Sequence, residues 1–291
     1  MGKLQMGLAA AGAAAAVITA RRWFGRARKR AAAPPDNPAA FVRAGKPAGT
    51  TAVVVCAGDS LTHALVSASY LERLRGRFAG RGWSFVNAGI NGNLAWNVAQ
   101  RLDAVIACQP DAVTLLIGTN DVLATLSGKN ERRYRRGQGI RETPTLDWYQ
   151  SNVTTIIDRL RAETAARIAV LSLPMIGEDL GSEPNRRVGR YNAALRAIAA
   201  ARQVAYLLLH ETLAAALPAR TPPAYRGRRF LVFKALFQHR ALHMPWDAIS
   251  AANGLTFLTD HVHLNERGAA VIADLIGGFL EESLGQGQAV A

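Results

Sequence analysis

The chain has 291 residues, 49% hydrophobic and 19% charged, so it can bury a full core within one domain of ordinary size. Its two cysteines, Cys56 and Cys108, have the spacing of neither a disulfide framework nor a Cys/His metal motif. The formal charge of +14 suggests nucleic acid until its distribution is read: residues 1 to 46 hold nine Lys/Arg against Asp36 alone, a net +8 that leaves +6 for the rest.

Residues 1–46 read as a tail in three parts: an uncharged run over 7–20, six basic residues (Arg21, Arg22, Arg26, Arg28, Lys29, Arg30), and an Ala/Pro-rich linker through Pro47. A spanning helix needs about 20 apolar residues, so an alanine-rich run of this length is a borderline anchor. It has the length of a signal-peptide core, yet only Lys3 precedes it, and the basic residues behind it would hold the body on the cytoplasmic side. Met6 stands where a myristoylation motif wants Ser or Thr. Membrane attachment through residues 1–30, export, and a basic arm without structure are the readings left open. Pro34, Pro35 and Pro38 mark a boundary near residue 47, with residues 47–291 as one domain.

From Thr50 onward short apolar runs alternate with helix-period stretches, the signature of βα units around a parallel sheet. Strands are predicted over 51–57, 83–87, 111–117, 167–173 and 204–209, and helices over 64–80, 95–107, 147–164 and 186–202. A last helix should start near Asn265, a good N-cap, and run to Leu284. This predicts a doubly wound, three-layer α/β/α body with a five-stranded parallel sheet.

The strand ends carry the chemistry. The first strand, Val53-Val54-Val55-Cys56, runs into Gly58-Asp59-Ser60-Leu61, which lifts a serine off the end of the sheet, where α/β proteins keep their ligands. The bland alternative is a turn that caps the next helix. The second strand ends in Asn87-Ala88-Gly89-Ile90-Asn91-Gly92, where glycine permits close approach of the backbone to a ligand, or serves only a turn with positive φ. The third ends in Gly118-Thr119-Asn120-Asp121, whose asparagine either aims its amide into the same crevice or caps the next segment. Before the last helix lies Asp260-His261-Val262-His263. A carboxylate three residues before a histidine can accept from one ring nitrogen while the other faces the serine, and histidine titrates near neutrality. The competing reading, a metal held by Asp260, His261 and His263, lacks a completing Cys/His motif elsewhere.

Together these four blocks, in this order over residues 51–285, resemble the SGNH (GDSL) hydrolase family. The resemblance implies a flavodoxin-like sheet and esterase or lipase chemistry without cofactor or metal. It also implies Ser60 as nucleophile, His263 as general base and Asp260 as its orienting carboxylate. The oxyanion hole would comprise the backbone N–H groups of Ser60 and Gly92 and the side-chain amide of Asn120, with Gly89 the rival of Gly92. Gly58-Asp59-Ser60-Leu61-Thr62 lacks the second glycine of the Gly-x-Ser-x-Gly elbow, which argues against an ordinary α/β-hydrolase.

Two insertions should set the substrate. One, Ser127 to Pro144, carries Lys129, Arg132, Arg133, Arg135, Arg136 and Arg141. The other runs from Glu211 to Ile249 and mixes arginine with Phe230, Phe233 and Phe237, readable as a membrane-contacting lid or as a helix packed on the body with a basic edge. His210, His239 and His243 read as structural. The expected substrate is a lipid or other small-molecule ester, and the rival hypothesis is a basic, membrane-associated binding module that has lost catalysis. No strand surface interleaves basic and aromatic residues for base stacking, so no nucleic-acid partner is expected. Lysophospholipase, thioesterase, lipase and sugar deacetylase are not distinguished by the sequence.

Overall fold

A computed structural model describes residues 33–225, 227 and 229–285. The tail readings on residues 1–30 therefore lie outside the described residues. Among the described residues, no helix is long and apolar enough to cross a membrane.

All seven residues of the first strand, β1 (Ala52–Gly58), are buried. Val53, Val55 and Ala57 enter one apolar cluster and Val54 and Cys56 the other, as alternation on a strand covered on both faces requires. The sheet is completed by β2 (Trp83–Gly89), β3 (Ala112–Leu116), β4 (Arg167–Leu171) and β5 (Ala205–Leu207), all parallel, in the order β2-β1-β3-β4-β5. This is the flavodoxin-like order, and its winding reverses between β1 and β3. Gly58 pairs with Gly89 on one side and Leu116 on the other, so three strand ends meet at the switch point.

In chain order the helices are α1 (Pro38–Ala44), α2 (Ser60–His63), α3 (Tyr70–Arg77), α4 (Ala95–Gln100), α5 (Leu102–Ile106), α6 (Thr119–Thr125) and α7 (Gly128–Gln138). They continue with α8 (Leu146–Glu163), α9 (Glu183–Ala201), α10 (Leu209–Ala215), α11 (Arg229–Ala241), α12 (Trp246–Ala252) and α13 (Glu266–Leu284). Side chains of α4, α5, α8 and α9 fill the cluster on one face of the sheet, and those of α3, α10, α12 and α13 the cluster on the other. The three layers follow. Asn265 caps α13 as expected, its side chain accepting from Gly268 N–H at 3.1 Å.

Three differences from the sequence reading have identifiable causes. The helix expected over 64–80 is two helices, because Ala64 takes a left-handed conformation (φ 59°) that closes α2, and Ser69 restarts the chain by capping Glu72 N–H at 3.2 Å. The helix expected over 95–107 breaks at Arg101, whose side chain turns back to the strand ends. Residues 34–44, which composition reads as linker, hold α1: Asn37 caps it, Asp36 pairs with Arg75, Asn87 N–H donates to the Asp36 carbonyl at 3.1 Å, and Phe41 packs on the core. The docked structure thus begins before residue 47.

Candidate active site

Ser60 is the first residue of α2, one turn of helix set on the end of β1. Asp59 caps that turn by accepting from Leu61 N–H at 3.0 Å, and Ala64 N–H donates to the Ser60 carbonyl at 3.1 Å. The end of β2 lies against this turn so closely that a Cβ on Gly89 would come 2.2 Å from the His63 nitrogen. Only glycine fits there, which gives Gly89 a packing role.

The segment 256–265 brings the other partners. Asp260 Oδ1 accepts from the backbone N–H of Val262 (3.1 Å) and of His263 (2.9 Å), while Oδ2 lies 2.7 Å from His263 Nδ1. His263 Nε2 in turn lies 2.9 Å from Ser60 Oγ, across 203 residues of chain. All three residues are buried. In the neutral imidazole, Nδ1–H donates to Asp260 and the Ser60 hydroxyl donates to Nε2. Burial is the largest influence on the His263 ring and pushes its pKa down, but the Asp260 charge and hydrogen bond outweigh it and the net direction is up. For Asp260 burial alone would raise the pKa; the His263 charge and the three hydrogen bonds take it below the ordinary carboxylate value.

Buried polar groups at a distance hold this segment in place. The Glu178 carboxylate accepts from the backbone N–H groups of Thr256, Phe257 and Leu258 at 2.7–3.1 Å. Asn185 on α9 accepts from Ile176 N–H at 2.8 Å and donates to the carbonyls of Ile176, Gly177 and Asp179. Gly177 N–H then donates to the His261 carbonyl at 2.7 Å, and Ala68 N–H to that of Leu264 at 3.0 Å. Neither Glu178 nor Asn185 was singled out from sequence. They act on backbone groups, so no side-chain motif marks them.

A second polar cluster surrounds Asn120, in the first turn of α6 at the end of β3. Its Nδ2 donates to Asp59 Oδ2 at 3.1 Å and to the Asn93 carbonyl at 2.9 Å, and its Oδ1 accepts from the Tyr134 hydroxyl at 2.7 Å. Both amide hydrogens are therefore engaged. Arg101 braces the same region from below: it donates to the strand-end carbonyls of Gly58 (3.0 Å) and Ala88 (2.8 Å) and to Asn93 Oδ1 (3.0 Å), and burial lowers its pKa to about 10. Burial also raises Asp59 to about 6 and Asp121 to about 8, against the pull of backbone N–H donors; Asp121 accepts from Ala95 N–H at the start of α4.

The structure thus joins Ser60, His263 and Asp260 directly and links Asn120 to Ser60 through the adjacent Asp59. Gly92 stands beside this cluster with φ +78°, where a Cβ would meet the Gln138 amide nitrogen at 2.6 Å. His261 is turned toward Tyr225, ring edge to face at 6.0 Å, and among the described residues no group of three His, Cys, Asp or Glu side chains converges as a metal site.

A flavodoxin-ordered sheet with a serine, a histidine and a carboxylate in hydrogen-bonded series at its switch point defines the SGNH class of α/β/α hydrolases. The chain belongs to the GDSL-like lipase/acylhydrolase family, whose model matches residues 56–271. Among solved structures it is similar to a catalytic mutant of Axe2, an acetylxylan esterase from Geobacillus stearothermophilus, at 18% identity and a TM-score of 0.59, over 82% of this chain and 97% of that one. It is also similar to the acetyl xylan esterase AlAXEase (19% identity, TM-score 0.55, 78% of this chain and 99% of that one). A third is LAE5, an alpha/beta hydrolase enzyme from the metagenome of Lake Arreo, Spain (19%, 0.53, 82% and 98%). At such identities the likeness establishes the fold. No curated protein sequence matches. Family membership supports an ester hydrolase acting on a small-molecule ester.

Proposed function

We propose that the protein is a serine ester hydrolase in which Ser60 is the nucleophile, His263 the general base and Asp260 the carboxylate that orients it. The observation that carries this is the unbroken series Ser60 Oγ, His263 Nε2, His263 Nδ1, Asp260 Oδ2 at 2.9 and 2.7 Å. As Ser60 Oγ attacks the ester carbonyl, its proton passes to His263 Nε2, and the imidazolium so formed is balanced by Asp260. The proton then goes to the leaving alkoxide, leaving an acyl-serine. Water, deprotonated by the same nitrogen, adds to the acyl carbon and releases the acid and free Ser60.

The negative charge on the carbonyl oxygen would fall among the backbone N–H groups of Ser60 and Gly92 and the Asn120 amide. The N–H of Asn120 that now reaches Asp59, the longer of its two bonds, is the one we assign to the oxyanion. Donors of this kind are each worth about 3 to 4 kcal/mol in the transition state.

The substrate we propose is a lipid or otherwise acylated small molecule. Phe230, Phe233 and Phe237, spaced along one side of α11, are 69, 40 and 53% exposed, which supports an apolar acyl chain or a lipid surface near that helix. With the basic residues at 21–30 they also favour attachment to an anionic membrane, the body facing the cytoplasm. Flotation with vesicles containing phosphatidylglycerol should carry the full chain upward at low salt; its absence from the lipid fraction refutes attachment.

Purified protein should hydrolyse p-nitrophenyl esters across a series of acyl lengths and label with a fluorophosphonate, and Ser60→Ala should do neither while folded. Turnover retained by that variant would refute the nucleophile. A wild type that neither turns over any ester nor labels would favour the rival binding module.

A further inference from the structure

Most half-buried arginines among the described residues face a carboxylate. Arg135 pairs with Glu131, Arg187 with Glu183 and Arg202 with Asp158. Arg133 on α7 forms no ion pair among the described residues, although it is half-buried. Its guanidinium carbon lies 4.7 Å from the centroid of the Tyr134 ring. That tyrosine is hydrogen-bonded to Asn120 Oδ1 at 2.7 Å, so the cation stands one side chain away from the Asn120 amide. On the other side its charge reaches Tyr225, whose ring meets His261 edge to face at 6.0 Å and whose hydroxyl also feels Asp260. Arg133 therefore looks onto the gap between the Asn120 cluster and the histidine loop. The acidic groups of that gap are already engaged: Asp59 by Leu61 N–H and the Asn120 amide, Asp260 by His263. A partly desolvated cation without a counter-ion is costly, and a planar guanidinium on an aromatic ring is well suited to bind a carboxylate or phosphate through two parallel bonds.

We infer that Arg133 recognises an anionic group, carboxylate or phosphate, carried by the ester substrate close to the scissile bond. This rests on the hydrolase reading above and narrows the substrate to esters that bear a negative charge.

The test uses the full-length protein and two matched ester pairs. Mono-4-nitrophenyl succinate against 4-nitrophenyl butyrate places a carboxylate on the acyl side; 4-acetoxyphenyl phosphate against 4-acetoxytoluene places a phosphate on the alcohol side. Wild type should prefer the charged member of at least one pair. Arg133→Gln should lower kcat/KM for that member by about 10- to 100-fold, mainly through KM. Neutral esters should change by no more than about threefold, as for an ordinary surface substitution. Arg133→Lys, which keeps the charge and loses the fork, should fall between. Equal losses on charged and neutral esters, or no preference in wild type that turns over the neutral esters, would overturn the inference and leave the hydrolase intact. Failure of wild type on all four esters would instead remove the hydrolase reading, and this inference with it.

Discussion

Tyr134→Phe removes one oxygen, the donor that holds Asn120 Oδ1 at 2.7 Å inside a buried cluster. The amide nitrogen keeps its acceptors, Asp59 and the Asn93 carbonyl, so the side chain stays in place but loses the brace on its far end. Leaving a buried acceptor unsatisfied costs about 1–3 kcal/mol. In a chain of this size each kcal/mol lowers the melting temperature by about 2–4 °C, a shift that calorimetry can read. If the brace matters when the oxyanion draws an amide hydrogen away from Asp59, about 1.4 kcal/mol of the loss appears in the transition state, and kcat falls about 10-fold. Asn120→Ala should cost about 100-fold or more in kcat on p-nitrophenyl acetate. The decisive measurement is the double variant. A tyrosine that works only through Asn120 has no further effect once Asn120 is gone, so Tyr134→Phe/Asn120→Ala should match Asn120→Ala. Additive losses in kcat, or a loss confined to KM, would refute the assignment of Tyr134 as a positioning residue.

Asp260→Asn should lower kcat by about 10⁴-fold and move the acid limb of the rate profile to lower pH, because His263 loses the anion that raises its pKa. The same pair sets a stability window. The His263 contribution is complete below its unfolded pKa and is lost as pH rises through the raised folded value, while that of Asp260 is complete above its unfolded pKa and is lost as pH falls through the depressed one. The pair therefore stabilises most between about pH 4 and 6.5, and thermal melts of Asp260→Asn against wild type should differ most there. Gly89→Ala should destabilise by about 1–3 kcal/mol, since its Cβ meets backbone; Gly92→Ala is strained by its positive φ as well as meeting the end of a glutamine, and should lose both stability and activity in paired melts and assays. Glu178→Gln can leave its oxygen facing Thr256, Phe257 and Leu258 N–H but sets an NH2 where the second carboxylate oxygen accepts from Thr256 N–H, and should cost about 1–3 kcal/mol of stability by denaturant titration, together with a fall in kcat; an unchanged midpoint would refute its bracing role.

The sheet was legible because each strand is centred on apolar residues and the crossovers at 146–163 and 183–201 are long enough to keep a helical period. The candidate site residues were legible because Ser60 and Asn120 lie within three residues of an apolar run, where the chain leaves the end of the sheet. What escaped reading was set by contacts distant in the chain. The helix at 38–44 looks like linker because its Pro and Ala residues serve equally well as a first turn, and only the docking of Asp36 on Arg75 and Asn87 decides between them. The break at Arg101 follows from carbonyls on two strands, and the brace from Tyr134 to Asn120 from a helix that reads only as a basic insertion. Glu178 looks like any loop acid until the backbone of residues 256–258 is laid against it.

The bond from Ala68 N–H to the Leu264 carbonyl ties the turn that carries Ser60 to the stretch that carries His263, only two residues before α13 begins at Glu266. During synthesis the serine, the asparagine and the whole sheet leave the ribosome well before the base does. A chain that ends before residue 263 lacks both the imidazole beside Ser60 and the helix that covers one face of the sheet. With His263 as the proposed base, esterase activity in a pulse of synthesis should report only chains whose last helix has docked.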